Sequence, residues 1–256
     1  MIYILIFLLA AVFGSFLNVC IYRIPRGESI IKPGSHCPKC GHILSWYENI
    51  PILSFIILAG RCKRCKERIS YVYPLVEIIT ASLAVIIFIN FSVTLKSVIF
   101  FMLFSSLIVA TFIDFERHEI PDIITLPGIG IGLILSFLYP SLLSMTEPLA
   151  SFFDSLLGVV VGGGSLYLMG FFGEIVFKKE AMGGGDIKLL AMIGSFLGWK
   201  VALLTFFIAP FFGSITGLIL KIKEGKEIIP YGPYLSLAAF VSLLYGDKII
   251  KFLFFR

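Results

Sequence analysis

Ala181-Met182-Gly183-Gly184-Gly185-Asp186-Ile187-Lys188-Leu189-Leu190 sets three consecutive glycines and a carboxylate at the mouth of an apolar segment. A charged side chain well inside a bilayer costs about 3 kcal/mol on insertion scales, so such an aspartate points to function. Glycine admits unusual dihedrals and lets a backbone or a substrate come close. The rest of the chain decides whether this stretch lies at a membrane edge and which group partners Asp186.

The chain has 256 residues, 58% hydrophobic and 14% charged, with a mean hydropathy of +1.00. A soluble domain carries roughly 25% charge, so the composition implies a polytopic membrane protein with little room for a soluble domain. Apolar runs of about 20 residues mark membrane-crossing helices. They fall near 1–21, 73–90, 97–113, 123–140, 151–177, 187–199, 201–220 and 231–246, about eight in all, the sixth short and the last weak. The first has no basic residue before it and no small-residue cleavage site after it, so it reads as a retained helix.

Basic residues set the orientation. With the N-terminus outside, the inside loops are 23–72, 114–122, 178–186 and 221–230, and with Lys188 they hold 16 of the 21 Lys and Arg. A net charge of +5 then suits anionic lipid facing the inside loops and not nucleic acid. Gly128/Gly132, Gly158/Gly162 and Gly213/Gly217 each form G-x-x-x-G, the spacing that lets helices approach closely.

The largest polar insertion, 23–72, contains Cys37-Pro38-Lys39-Cys40 and Cys62-Lys63-Arg64-Cys65, two C-x-x-C turns separated by 21 residues. Two such turns supply the four sulfurs of a tetrahedral zinc site, closed and therefore structural. A loop this small buries little core, and a metal would supply the missing folding energy. The competing reading is two disulfides, which an inside location disfavours. His36 and His42 are the only substitute ligands, and Cys20 stands apart as a small packing residue. The apolar run Ile50–Ala59 is too short to span. It reads either as the core of this insertion or as an element in the membrane interface.

Asp114 closes the third span and Asp186 opens the sixth, so the topology puts both at the inside edge although 72 residues separate them in sequence. Two carboxylates at short range share one proton, because both cannot ionise cheaply. The ionised member can activate water while the protonated member polarises a peptide carbonyl. Asp186 begins a helix, where the dipole favours the ionised form, and Asp114 ends one, so Asp186 is expected to be the more acidic. Asp122, after Ile120-Pro121, reads as a helix cap, and Glu116 to Glu119 as a solvated turn. Glu77, Asp154 and Glu174 read as interhelical or interface residues without assigned chemistry. A transporter or scaffold would instead place its acids near the midplane.

These residues resemble a known family, the type IV prepilin leader peptidases, the bifunctional peptidase/N-methyltransferases. Gly14-Ser15-Phe16-Leu17-Asn18-Val19 with Tyr22-Arg23-Ile24-Pro25 resembles its N-terminal signature. The two cysteine turns, Trp46, Asn49-Ile50-Pro51 and Tyr73-Pro74-Leu75-Val76-Glu77 resemble its zinc-bearing domain. Asp114 with Ile120-Pro121-Asp122, and Gly183-Gly184-Gly185-Asp186 with Lys188, Gly198 and Trp199, resemble its two aspartate motifs, the second of the G-x-G-D type shared with presenilin-like proteases. Glu48 and Val72 depart from the pattern, standing where Asp and Arg are expected.

The resemblance implies an all-α bacterial inner-membrane enzyme with a small zinc-binding cytoplasmic insertion. Residues 1–22 would be the first helix, 23–72 the cytoplasmic zinc-binding, methyltransferase-associated domain, and 73–256 the aspartic peptidase domain. Asp114 and Asp186 would be catalytic, supported by Gly183, Gly185 and Lys188, the glycines giving clearance to an extended leader peptide. Cys37, Cys40, Cys62 and Cys65 would hold structural zinc. The implied substrates are type IV prepilins and type II secretion pseudopilins, cut on the cytoplasmic side. S-adenosylmethionine would be the methyl donor, although the chain has no glycine-rich dinucleotide-like fingerprint to place it.

Overall fold

The computed structural model describes residues 1–178, 182–224 and 230–254. Ala181 of the glycine stretch, and Lys179, Lys226 and Arg256 of the charge count, lie outside the described residues. The described chain forms α1 Ile2–Arg23, α2 Leu53–Ile57, α3 Val72–Phe91, α4 Leu95–Arg117, α5 Asp122–Leu138, α6 Pro148–Phe177, α7 Gly184–Glu224 and α8 Gly232–Phe254. Its only extended pairings among these residues are two isolated bridges. Five helices (α1, α3, α4, α6 and α7) are long and apolar enough to cross a membrane, and α5 is a shorter apolar helix. Two compact units divide within α4, Met1–Val109 and Ala110–Arg256.

In the first unit α1 and α3 run antiparallel. They approach so closely at Gly14 that an added Cβ would lie 2.9 Å from the Glu77 Cα. Asn18 donates to the Tyr73 carbonyl at 3.0 Å, and Arg23 donates to the carbonyl of Ser29 at 2.8 Å. Small residues line the contact, with Ala10, Ala11, Ala81 and Ala84 buried together and Phe7 and Ile52 packed on them. Such residues let membrane helices meet backbone to backbone.

Ile52 belongs to the insertion, and its side chain ties that loop to the helix pair. Its backbone sits at φ 63, ψ −51, a rare γ-turn geometry that strains a β-branched residue. Buried Glu77, 7% exposed, holds the turn by accepting the Ile52 amide at 2.7 Å. The run 50–59 is therefore not a buried core of the insertion. Its helix α2 buries none of its residues, and Ile56 and Ile57 are exposed; only Ile52 plugs into the α1–α3 contact.

In the second unit α6 and the first limb of α7 form the tightest pair. Gly158 and Gly194 meet backbone to backbone, and a Cβ on Gly162 would lie 2.6 Å from the Leu190 carbonyl oxygen. Ser155 donates to the Ser195 carbonyl at 2.6 Å between the same helices. Gly128 and Gly132 of α5 make room instead for the side chains of Met192 and Ser195. These G-x-x-x-G pairs are packing devices.

The boundary expected between the sixth and seventh spans falls at Gly198. There the backbone leaves the helix at φ 79, ψ 170, a region open mainly to glycine. The Asp154 carboxylate abuts Gly198 and accepts a bond from the Trp199 side chain, so this acid holds the break. Beyond it the chain returns. Gly213 lies against Tyr234 and Gly246 against Leu204, so the second limb is antiparallel to α8. Its residue 213 reaches the same end of the unit as residue 185. The first limb, 184–197, spans only about 21 Å at 1.5 Å per residue.

Candidate active site and metal centre

The two cysteine turns are built alike. In the first, Cys37 N–H donates to the His42 carbonyl at 2.9 Å and Gly41 N–H to the Cys37 carbonyl at 2.9 Å. In the second, Cys62 N–H donates to the Glu67 carbonyl at 2.8 Å and Lys66 N–H to the Cys62 carbonyl at 3.0 Å. Each turn closes on a residue at positive φ, Gly41 at 67° and Lys66 at 60°. Each ends in a bridge, His36–Ile43 and Arg61–Arg68.

The four sulfurs all lie within 4.8 Å of one another, with Cys37–Cys65 at 3.8 Å and Cys40–Cys62 at 4.0 Å. Sulfurs at Zn–S bonds of about 2.3 Å in a tetrahedron stand about 3.8 Å apart, so the set fits zinc. None of the cysteines forms a disulfide. Backbone N–H groups of Cys65 and Arg64 bring the Cys62 thiol down to about 6. Cys65, despite the Glu67 N–H, is pushed up to about 12 by desolvation and its bonds to the other sulfurs, as expected of thiols sharing protons where a metal would displace them.

His42 is not a ligand here. It pairs with the Glu48 carboxylate at 3.1 Å. Glu48 also accepts the Ser45 amide at 2.8 Å, closing a capping box on residues 46–49. Glu48, which departs from the family pattern, thus fastens the first turn to the following segment.

The second unit brings Asp114 and Asp186 together at one end. Asp114, 5% exposed, ends α4, and its Oδ2 accepts the Gly232 amide at the start of α8 at 2.9 Å. Ile120 is the spacer. A Cβ on Gly185 would lie 2.9 Å from the Ile120 Cβ, and one on Gly232 would lie 3.0 Å from its Cδ1 and 2.8 Å from Asp114 Oδ2. Asp186, next to Gly185, interacts electrostatically with Asp114 and with Tyr231. Asp186 Oδ1 and the Tyr231 hydroxyl are both buried without a hydrogen-bond partner, which is costly unless something fills the role.

The glycines of the opening stretch serve this packing. Gly183 makes room for the Asp186 carboxylate, 3.0 Å from where its Cβ would stand, and Gly185 makes room for Ile120. Only Gly184 faces open space. The expected clearance for a peptide is thus used inside the protein at two of the three positions.

Lys188 donates to both oxygens of Asp122, at 2.6 and 2.8 Å, joining α7 to α5 beside the aspartates. Asp122 is therefore an ion-pair partner in the first turn of α5 and not its cap, which is Pro121 without a side-chain bond. Gly232 and Tyr231 escaped the sequence reading. The signal for them was Pro230-Tyr231-Gly232-Pro233, a helix-start pattern at the same end of the unit as both aspartates.

A family profile described as the Bacterial Peptidase A24 N-terminal domain matches residues 8–91, and one described as the Type IV leader peptidase family matches residues 99–218. The Prepilin leader peptidase/N-methyltransferase of Pseudomonas putida is 34% identical over 261 residues, covering 92% of this chain and 88% of that protein. The chain belongs to the type IV leader peptidase family. Proteins of the same name from Pseudomonas aeruginosa and Dichelobacter nodosus are each 34% identical, over 95% and 92% of this chain and 90% and 89% of their own. No solved structure matches the chain. Within this family both profiles meet the structure at its two sites, the first over the cysteine loop and the second over Asp114 and Asp186.

Proposed function

We propose that the chain cleaves the basic leader from type IV prepilins and type II secretion pseudopilins, and then N-methylates the new N-terminus with S-adenosylmethionine. The setting is the bacterial inner membrane, with the peptidase site at the cytoplasmic face. The observation that carries cleavage is the meeting of Asp114 with Asp186, one Asp186 oxygen being buried without a partner.

Asp114 accepts a backbone N–H at a helix start, as a carboxylate does; Asp186 Oδ1 has no donor. We therefore place the shared proton on Asp186, the reverse of the division drawn from helix ends alone. Asp114 takes a proton from water as it attacks the scissile carbonyl, and Asp186 donates to the carbonyl oxygen. The proton gained by Asp114 then passes to the leaving amine as the C–N bond breaks, and Asp186 regains its proton from the collapsing gem-diol. Zinc held by Cys37, Cys40, Cys62 and Cys65 would stabilise the insertion and take no part in peptide cleavage.

The test is prepilin cleavage by purified protein in lipid, with Asp114→Asn and Asp186→Asn beside wild type. Each variant is expected to lose about 10²–10⁴-fold in rate, the range for a general acid or base. Full cleavage by either variant removes that residue from the pair.

A further inference from the structure

A cleft of about 390 Å³ opens in the cysteine insertion, lined by Phe55, Ile56, Gly60, Arg61, Arg68 and Tyr71 among others. Its lining lies wholly within the first unit. Its volume falls within the range of small-molecule sites, roughly 300–1,000 Å³.

Arg61 and Arg68 face each other across the second bridge. The flanking bonds, Cys62 N–H to Glu67 and Ile69 N–H to Gly60, make them a non-hydrogen-bonded pair, the arrangement that brings side chains closest. Like charges directly opposite repel. Neither guanidinium has a hydrogen bond or ion pair among the described residues, and both side chains are exposed, so the fold presents two hydrated cations side by side. Arginine forks match carboxylate and phosphate.

Across the cleft, Phe55 and Tyr71 stand 5.5 Å apart and inclined at 59°, with Tyr71 widely exposed. These rings offer a stacking surface for a planar group and a π face for a cation. The wall that carries Phe55 is fixed at its start by the strained Ile52 turn, held by Glu77. Strain of this kind gathers at ligand clamps.

We propose that this cleft binds the methyl donor, with Arg61 and Arg68 on its carboxylate and Phe55 and Tyr71 against its adenine and sulfonium ends. The inference rests on the methyl-transfer reading and assigns that reaction its missing donor site. The ligand must join an anion to a planar aromatic group and a soft cation, which S-adenosylmethionine does within one small molecule. An anionic lipid headgroup matches the arginines but leaves the aromatic pair without a partner.

The experiment is calorimetric binding of S-adenosylhomocysteine to the full-length protein in neutral detergent, alongside methyl transfer and prepilin cleavage. Wild type is expected to bind. The Arg61→Ala/Arg68→Ala variant is expected to bind at least tenfold more weakly, with a matching rise in KM for S-adenosylmethionine and unchanged prepilin cleavage. If that variant loses its metal, Tyr71→Leu, outside the cysteine turns, tests the site through the same weakened binding.

Unchanged affinity in a metal-loaded arginine variant, or in Tyr71→Leu, overturns the site while methyl transfer by wild type stands. Wild type that neither binds nor methylates overturns the methyl-transfer reading and the site with it. Intact nucleoside binding, with lost attachment to vesicles rich in anionic lipid, reassigns the arginines to a headgroup and overturns the proposal.

Discussion

In the cysteine loop each pair of ligands is set by bonds that span at most nine residues, the longest from Leu44 to Ser35 and from Ile69 to Gly60. At the aspartates the bond that fixes Asp114 comes from Gly232, 118 residues away, and Asp186 arrives on a third helix. The loop is specified locally and gathers four sulfurs that could hold a metal. The aspartate site is brought together by helix packing, with Gly183 bonded to Asp186 as its short-range support. A change in the loop should therefore stay in the loop, whereas a change in a distant helix contact should reach the aspartates.

The largest effect tests the local side of that contrast. Structural zinc contributes about 10–16 kcal/mol to small zinc peptides, so Cys37→Ser should empty the site and unfold the loop. Zinc content measured by atomic emission should fall toward zero and methyl transfer with it, while prepilin cleavage persists. Loss of cleavage in parallel would show that the two sites are not separable.

The packing side is tested by Gly194→Ala. Its Cβ would strike the Gly158 backbone, and overpacking costs about 1–3 kcal/mol. The unfolding midpoint in detergent should drop, and cleavage should fall although residue 194 is far along the limb from Asp186. Zinc content should not change.

Within the loop the two turns can be set against each other. Lys66 occupies the positive-φ position that Gly41 fills in the first turn. Such backbone costs an L-residue about 1–2 kcal/mol, so Lys66→Gly should raise the temperature of zinc release by an amount worth up to about 1 kcal/mol. Gly41→Lys should lower it.

The smallest effect concerns pH. The Ser45 amide, and then His42, hold the Glu48 carboxyl below the usual carboxylate range. A depressed carboxyl contributes stability above its unfolded pKa and loses it as pH falls through the folded one. Glu48→Gln should therefore be less stable than wild type near pH 7, and the gap should close as pH drops into the carboxylate range. Thermal melts across pH 3–7 measure this, and a constant gap would remove the Glu48 charge as its cause.

The same contrast explains what could be read from the chain. Cys37, Cys40, Cys62 and Cys65 were legible because their chemistry is carried by spacing. The meeting of Asp114 and Asp186 was legible because the count of crossings put both at one end. The partner at Gly232 was not, because its contribution is a backbone N–H that any residue carries. The γ-turn at Ile52 was hidden because its residue type opposes it, and only the buried Glu77 carboxylate makes it tenable. The role of Gly185 was misjudged because sequence shows that space is needed but not who fills it, and Ile120 does.

The central claim is that Asp114 and Asp186 act as one catalytic unit. A double-mutant cycle on prepilin cleavage tests it most directly, with Asp114→Asn, Asp186→Asn and the double variant assayed together. Residues that share one proton are strongly non-additive, so the double variant should be no slower than the worse single variant. Losses that multiply, or one single variant at full activity, would contradict a shared-proton pair.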